Sequence, residues 1–121
     1  MCGISGEVSY SANTDLREHI SRMNESLVHR GPDDDGTFFF ENVGLGHRRL
    51  AIIDLSERGH QPMSIDSGRF VITFNGEIYN YLELRKELSL LGASFASTTD
   101  TEVILQAYKF WGIECLQRFI G

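Results

Sequence analysis

Three short apolar runs follow one another in the middle of the chain, separated by turn-forming residues. They are Thr37–Phe40, Val43–His47 and Leu50–Asp54, with Asn42, Gly44 and Gly46 between or within them. Short apolar runs bounded by glycine and asparagine are typical of antiparallel strands joined by tight turns. The centre of the chain is therefore predicted to form antiparallel strands joined by tight turns.

The segments before this sheet predict a strand, a helix and a turn. Residues 3–10 alternate loosely between apolar and polar and predict a strand, and apolar residues at helical spacing predict a helix from about Asp15 to Val28. Residues 30–36 contain glycine, proline and three consecutive aspartates, which is the composition of a solvated turn. The spacing of these aspartates lacks the alternating ligands and distant glutamate of a calcium loop, so a solvated turn is favoured over a metal site there.

The segments after the sheet alternate between loop, strand and helix patterns. Residues 55–68 have the composition of a loop, and Arg69–Phe74 predicts a strand. A helix is expected to begin at Asn80 as N-cap, with Glu83 in the capping-box position, and to end at Gly92. The remaining predicted elements are a short strand over Ala93–Ala96, a helix with Asp100 as N-cap and a helical piece over Ile113–Phe119 that contains Cys115 as a core residue.

The chain begins with Met1-Cys2-Gly3-Ile4. Removal of the initiator methionine is expected because the next side chain is small, and it would give Cys2 both a thiol and a free α-amine. An α-amine has a pKa of about 8 and a thiol of about 8.5, so near neutral pH the amine can accept the thiol proton. Cys2 is therefore a candidate nucleophile that carries its own base, although most second-position residues have no function.

Composition excludes several classes of function. A chain of 121 residues with 41% hydrophobic residues is at most one domain with a real core. The net charge of −6 argues against nucleic acid as the main partner, because phosphate binding needs a basic face. No apolar run is long enough to span a membrane, and no signal peptide is recognised. Two cysteines form no disulfide framework, so a cytoplasmic location is expected.

Three further motifs each have a structural and a functional interpretation. Asn75-Gly76 is first a hairpin-turn signal, but an asparagine amide beside a glycine N–H is also a pair of donors for an oxyanion. Alternation places Arg48 and Arg49 on opposite faces of a strand, and a partly buried arginine suits bidentate binding of a carboxylate. Asp100 is either an N-cap or a carboxylate that holds a substrate ammonium.

Hydrolysis of an amino acid's carboxamide needs one group of each of these kinds. A thiolate attacks the carbonyl, two donors stabilise the oxyanion, and a protonated amine gives its proton to the departing ammonia. A cation and an anion hold the α-carboxylate and α-ammonium of the substrate. The residues that supply these groups are Cys2, Asn75, Gly76, Arg49 and Asp100.

Five motifs occur in order over residues 2–102. They are Cys2-Gly3-Ile4-x-Gly6, Arg30-Gly31-Pro32-Asp33-x-x-Gly36, Gly46-His47-Arg48-Arg49-Leu50-x-Ile52-x-Asp54, Phe74-Asn75-Gly76-Glu77-Ile78-Tyr79-Asn80 and Thr99-Asp100-Thr101-Glu102. Together they resemble the glutaminase domain of glutamine-hydrolysing asparagine synthetases. These are class II glutamine amidotransferases with the N-terminal-nucleophile hydrolase fold. The phosphosugar and purine-pathway amidotransferases share the Cys-Gly-Ile start, but the second and third motifs resemble the synthetase branch more.

The resemblance implies a role for each matching position. Cys2 would attack the side-chain amide of L-glutamine and form a γ-glutamyl thioester, with its α-amine as base and then acid. The Asn75 side chain and the Gly76 backbone would form the oxyanion hole. Substrate binding would fall to Arg49 for the α-carboxylate and Asp100 for the α-ammonium, with backbone groups around Ile52, Ile53 and Glu77. The products would be glutamate and ammonia.

The resemblance also implies an α+β fold, a four-layer αββα sandwich of two antiparallel sheets. The family's glutaminase domain is longer, so residues 1–121 are expected to be the N-terminal part of a glutamine amidotransferase type 2 domain with an incomplete second sheet. The synthetase domain, which would bind ATP, magnesium and aspartate and use the ammonia, is expected to be absent. No cofactor is expected in the part present. An incomplete sheet would favour either association, for example as a homo-oligomer, or poor folding.

Two other interpretations stay open. The chain could be an inactive fragment that at most binds glutamine or glutamate through Arg49 and Asp100. A retained Met1 would favour this, because the α-amine would then belong to Met1. The weakest alternative is a metal-binding module built from the aspartates at 33–35 and a histidine. The acceptor of the ammonia, aspartate or another carboxylate, is not specified by these residues.

Overall fold

A computed structural model describes residues 1–11, 14–51 and 57–121. Its first sheet consists of β1 (Gly3–Val8), β2 (Asp34–Phe40) and β3 (Val43–Arg49) in the antiparallel order β1-β3-β2. Only Glu41 and Asn42 join β2 to β3, and Glu41 takes the left-handed φ of 48° that this tight turn needs. The predicted strands at 3–10, Thr37–Phe40 and Val43–His47 are thereby confirmed.

Helix α1 (Leu16–Ser26) packs on this sheet and follows the predicted position closely. Asp15 caps it, because its carboxylate accepts the Glu18 N–H at 3.0 Å. Fully buried Ile20 lies against Gly44 of β3, where a Cβ would approach its side chain to 2.8 Å. The glycines that punctuate β3 therefore allow the helix to approach the sheet.

The second sheet is a hairpin of β4 (Met63–Ile65) and β5 (Phe70–Ile72). The predicted strand Arg69–Phe74 is present in shortened form as β5. The loop predicted over residues 55–68 is wrong in part, because β4 lies inside it. The strand is only three residues long and is surrounded by serine, proline and glycine, so its apolar signal is too short to distinguish from a loop.

Two helices and a final 3₁₀ segment complete the chain: α2 (Tyr81–Leu90), α3 (Asp100–Trp111) and Gly112–Arg118. Their apolar faces, together with Ile78 from the segment before α2, form one buried cluster that also contains Leu84, Leu88, Val103, Ala107 and Cys115. Gly92, at a φ of 99°, ends α2 as predicted. The predicted helical piece at Ile113–Phe119 is present in the tighter 3₁₀ form, with Cys115 in the core.

Several local predictions were wrong for identifiable reasons. Residues 93–96 form no strand; instead the N–H groups of Ala96 and Ser97 donate to the buried carboxylate of Glu102, at 2.8 and 2.6 Å. The N-cap of α3 is Thr99, whose hydroxyl accepts the Glu102 N–H, and not Asp100.

Two more differences concern the neighbouring segments. Asn80 sits at the N-cap position of α2 but makes no capping bond, since its amide accepts from Ile120 N–H and donates to the Arg118 carbonyl. The predicted turn at 30–36 ends early, because β2 begins at Asp34. Leu50 and Ala51 are not in a strand, and the rest of the predicted strand to Asp54 lies outside the described residues.

The α+β class with two antiparallel sheets and helices is confirmed. We call residues 1–51 the N-terminal half and residues 57–121 the C-terminal half, each within its described part. Among the described residues, no helix is long and apolar enough to cross a membrane.

Candidate active site

A cavity of about 410 Å³ lies between the two halves. Cys2 and Arg49 line it from the N-terminal half. Asn75, Gly76, Glu77 and Asp100 line it from the C-terminal half. Residues far apart in the sequence are thus brought to one concave surface.

Cys2 lies directly before β1 with its sulfur turned toward Leu50. The Leu50 N–H donates to Cys2 Sγ at 3.3 Å, and the thiol lies 3.7 Å from the Leu50 carbonyl. Arg30 Nε donates to the Cys2 carbonyl at 3.2 Å. Met1 precedes it, 75% exposed, and also lines the cavity. The candidate nucleophile Cys2 is therefore held through its backbone carbonyl and its sulfur, whereas the preceding Met1 is largely exposed to solvent.

Arg49 ends β3 on the same face of the strand as His47 and is only 9% exposed. Arg48 points to the other face, where Nε donates to the Asn24 carbonyl at 3.1 Å and Nη1 lies 3.4 Å from Asp35. The predicted alternation of the two arginines is confirmed. Gly59 packs against the Arg49 guanidinium so closely that a Cβ at this position would overlap it, so the side chain is held by packing as well as by polar contacts.

Asn75 and Gly76 do not form the hairpin turn that their sequence also predicts. They lie in an irregular segment between β5 and α2. Among the described residues, neither the Asn75 amide nor the Gly76 N–H has a hydrogen-bond partner. Two donors at the wall of the cavity are thus available to a ligand.

Asp100 is the first residue of α3 and is buried. Its Oδ2 accepts the Ile78 N–H at 2.9 Å, and Oδ1 makes no hydrogen bond within the described part of the chain. One oxygen therefore fixes the carboxylate, and the other can accept a hydrogen bond from a cation in the cavity.

The remaining predicted substrate-binding positions divide into two groups. Glu77 lines the cavity beside Gly76. Ile52 and Ile53 lie outside the described residues.

Sequence reasoning missed two buried polar residues next to the cavity, His47 and Gln61. His47 Nε2 donates to the Phe74 carbonyl at 3.2 Å, and Gln61 Oε1 accepts the Phe74 N–H at 2.7 Å. Burial lowers the pKa of His47 below its ordinary value, against a smaller raising effect of the Phe74 carbonyl. The shared strand face of His47 and Arg49 was a signal for the histidine, whereas nothing in the loop composition around Gln61 indicated its role.

The aspartates at 33–35 have protein partners. Asp34 Oδ2 lies 2.8 Å from His60 Nδ1, Asp35 pairs with Arg48, and Asp33 accepts the Ala51 N–H at 2.9 Å. Within residues 1–11, 14–51 and 57–121, no group of three or more histidine, cysteine, aspartate or glutamate side chains has an arrangement that could hold a metal ion. The weakest of the sequence interpretations thus gains no support from the geometry.

Comparison with known proteins identifies the family to which the sequence is similar. A family model described as a glutamine amidotransferase domain matches residues 1–121. The chain is 46% identical over 124 residues to asparagine synthetase [glutamine-hydrolyzing] 1 of Bacillus subtilis, and 40% identical to asparagine synthetase 3 of the same organism. It is also 35% identical to amidase chry2 of Gibberella zeae. All of the chain is aligned in each case, and it spans 20% of the length of each relative.

Proposed function

Because this chain belongs to the glutamine amidotransferase domain family, we propose that its cavity hydrolyses L-glutamine to glutamate and ammonia, with Cys2 as the nucleophile. The observation that carries the proposal is the convergence of Cys2, Arg49, Asn75, Gly76 and Asp100 on one cavity. It supplies a thiol, two donors that have no partner among the described residues, a cation and an anion within one small volume. A free amino acid with a side-chain amide needs each of these groups.

In the proposed reaction, the active species has lost Met1. The α-amine of Cys2 takes the thiol proton, and Sγ attacks the side-chain carbonyl carbon of glutamine. The oxyanion is bound by the Asn75 amide and the Gly76 N–H, whose individual loss costs about 10²–10³ in kcat in comparable sites. The C–N bond then breaks, the α-ammonium returns the proton to the departing ammonia, and a γ-glutamyl thioester remains. Water hydrolyses the thioester and releases glutamate, which restores the thiol.

Substrate binding would use the two charged residues at the cavity wall. Arg49 binds the α-carboxylate, since its planar guanidinium matches a carboxylate with two parallel hydrogen bonds. Asp100 binds the α-ammonium through Oδ1. We include Glu77, Ile52 and Ile53 as backbone contacts to glutamine on the basis of their motif positions.

For the whole protein, we propose an asparagine synthetase-like activity in which a further domain uses the ammonia. Two relatives carry that name, and the chain spans only 20% of their length. Residues 1–121 would then be the N-terminal part of a type 2 amidotransferase domain. ATP and magnesium would be bound by the synthetase domain, and aspartate or another carboxylate would accept the ammonia.

A second candidate is binding without catalysis. It would apply to a species that retains Met1, which lines the cavity together with Cys2. While Met1 is attached, the free α-amine belongs to Met1, and the thiol lacks its proposed base. Such a species would bind glutamine or glutamate through Arg49 and Asp100 but would not form the thioester.

The test is the intact mass of the natural protein before and after exposure to an electrophilic glutamine analogue. Loss of the Met1 mass together with one adduct mapped to Cys2 is the expected result. An adduct that forms in the presence of Met1, or that maps to Cys115, would contradict the proposed role of the α-amine or of Cys2. Loss of Met1 without an adduct, and without glutamate release from glutamine, would leave the binding function as the better description.

A further inference from the structure

The segment that carries Asn75 and Gly76 has no regular structure of its own. It starts after Ile72, the end of β5, and finishes at Tyr81, the start of α2. A stretch without backbone pairing must be positioned by side chains or by packing. The contacts that hold this segment therefore decide where the two oxyanion donors lie.

Phe74, the residue before Asn75, is held on both sides by buried side chains. His47, fully buried, donates from Nε2 to the Phe74 carbonyl at 3.2 Å. Gln61, also buried, accepts the Phe74 N–H at 2.7 Å. The Phe74 carbonyl shares a rigid peptide plane with the Asn75 N–H. His47 thus fixes the plane that leads into Asn75, and Gln61 fixes the plane before it.

Gln61 has a second contact that reaches the other side of the cavity. Its Nε2 donates to the Thr101 hydroxyl at 3.4 Å, and Thr101 follows Asp100 on α3. One side chain therefore spans the oxyanion segment and the helix start that carries the candidate ammonium-binding carboxylate. Both functional groups of the Gln61 amide are used in this way.

We propose that Gln61 and His47 are positioning residues that clamp the backbone of Phe74, so that the Asn75 amide and the Gly76 N–H face the oxyanion of the reacting glutamine. The inference rests on the proposed glutaminase function. In this inference the two residues act through the Phe74 backbone and the donors that follow it. Their loss should therefore affect kcat for glutamine hydrolysis more than KM.

The experiment measures glutamine hydrolysis by the intact natural protein with the substitution Gln61→Ala. We expect kcat to fall by about 10- to 100-fold, because misplacement of catalytic groups by about 1 Å costs up to about 10²-fold, while KM changes less than about threefold. The matched control is Gln106→Ala. Like Gln61, Gln106 is a buried glutamine whose side chain forms a hydrogen bond: its Nε2 donates to the Ser94 carbonyl at 2.9 Å. Unlike Gln61, it does not line the cavity. The kcat of the Gln106→Ala variant should stay within about twofold of that of the unsubstituted protein.

A double-substitution cycle separates positioning from general loss of structure. If Gln61 acts through the oxyanion donors, then Gln61→Ala should lower kcat by only about threefold or less once Asn75→Ala has removed the side-chain donor. The histidine gives a second comparison. His47→Gln can place an amide donor near the former Nε2 and should keep kcat within about fivefold, whereas His47→Leu should lower it at least tenfold. If Gln61→Ala does not fold, Gln61→Asn replaces it in the same cycle.

The outcomes are distinguishable. If the unsubstituted protein neither releases glutamate nor forms a Cys2 adduct, the proposed function fails and this inference fails with it. If that protein is active but Gln61→Ala behaves like Gln106→Ala, only the inference is overturned. An equal kcat loss from Gln61→Ala with and without Asn75→Ala also overturns it, because the two residues would then act independently.

Discussion

The backbone N–H of Leu50 donates a hydrogen bond to the sulfur of Cys2 across 3.3 Å, although 48 residues separate the two positions. The contact follows from the register of the first sheet, in which Gly3 pairs with Arg48. Leu50 also follows Arg49 directly, so the same stretch of backbone sets the nucleophile and the candidate carboxylate-binding residue relative to each other.

The two cysteines are expected to differ in function and in stability. Cys2→Ser should abolish labelling by an electrophilic glutamine analogue and lower glutamine hydrolysis by at least about 10³-fold, with little change in unfolding free energy. Cys115 should behave in the opposite way, because it is only 1% exposed and burial raises the pKa of its thiol. Cys115→Ser should lower the unfolding free energy by about 1–3 kcal/mol, since it buries a hydroxyl, while Cys2 is still labelled. Mass mapping and urea unfolding of both variants measure this; labelling of Cys115 in the native protein would contradict it.

Arg49 and Arg48 provide a matched pair of neighbouring arginines. Arg49→Lys should raise KM for glutamine by about tenfold or more, because an ammonium cannot reproduce the two parallel bonds of a guanidinium. The Arg48 side chain contacts Asn24 and Asp35 and does not line the cavity. Arg48→Lys should therefore change KM for glutamine by less than about twofold. Steady-state kinetics of both variants decide the matter. Equal KM values for the two would remove Arg49 from the substrate site.

The carboxylates of Asp100 and Glu102 lie two residues apart but should serve different purposes. Asp100→Asn keeps an oxygen for the Ile78 N–H and removes the charge, so KM for glutamine should rise about tenfold or more with a modest effect on stability. Glu102→Gln weakens the bonds from Ala96 and Ser97 and should cost about 1–3 kcal/mol of stability with KM little changed. Steady-state kinetics and thermal unfolding of each variant test this contrast. A larger increase in KM for Glu102→Gln than for Asp100→Asn would contradict it.

His47 predicts a pH dependence of stability. Its pKa is lowered in the folded state and is about 6.5 when unfolded, so the unfolded chain binds more protons below pH 6.5. Stability is therefore full above pH 6.5 and falls as the pH drops toward the folded pKa, by up to about 1.4 kcal/mol per pH unit from this one group. Asp34 acts on His47 to raise its pKa, whereas Arg49 and His60 lower it.

The measurement is the unfolding free energy between pH 7.5 and 5.5, compared between the unsubstituted protein and His47→Gln. The variant should show a shallower decline, since a glutamine cannot bind the extra proton. Parallel curves for the two proteins would mean that His47 is not the group responsible.

The sequence predicted elements with long or well-bounded patterns and missed those set by distant contacts. Helix α1 and strands β1 to β3 carry clear spacing and turn residues, so their existence was predictable from local patterns. The Ala93–Ala96 stretch was predicted as a strand, but Glu102 accepts the N–H groups of Ala96 and Ser97, and no strand in the described part of the chain pairs with this stretch. Asn80 has the residue type of an N-cap, yet the C-terminal segment competes successfully for its amide.

The candidate site shows the same division. Cys2, Arg49, Asn75, Gly76 and Asp100 were predicted because each carries a recognisable chemical group in a recognisable motif. Gln61 was not, because it lies in a stretch of loop composition and its role depends on two partners, Phe74 and Thr101. A side chain that acts by bridging two backbone regions has no local signature, since the pattern that defines it exists only in three dimensions.

The candidate site has its sulfur and guanidinium in the N-terminal half and its oxyanion donors and carboxylate in the C-terminal half. On the proposed function, the α-carboxylate of glutamine would be bound by Arg49 of one half and its α-ammonium by Asp100 of the other, so the substrate would connect the two halves. Its binding free energy would be added to the contacts that already join them, such as the bond from Thr73 to the Gly46 carbonyl. The substrate would then hold together the two halves that act on it, and only the release of glutamate would remove that link.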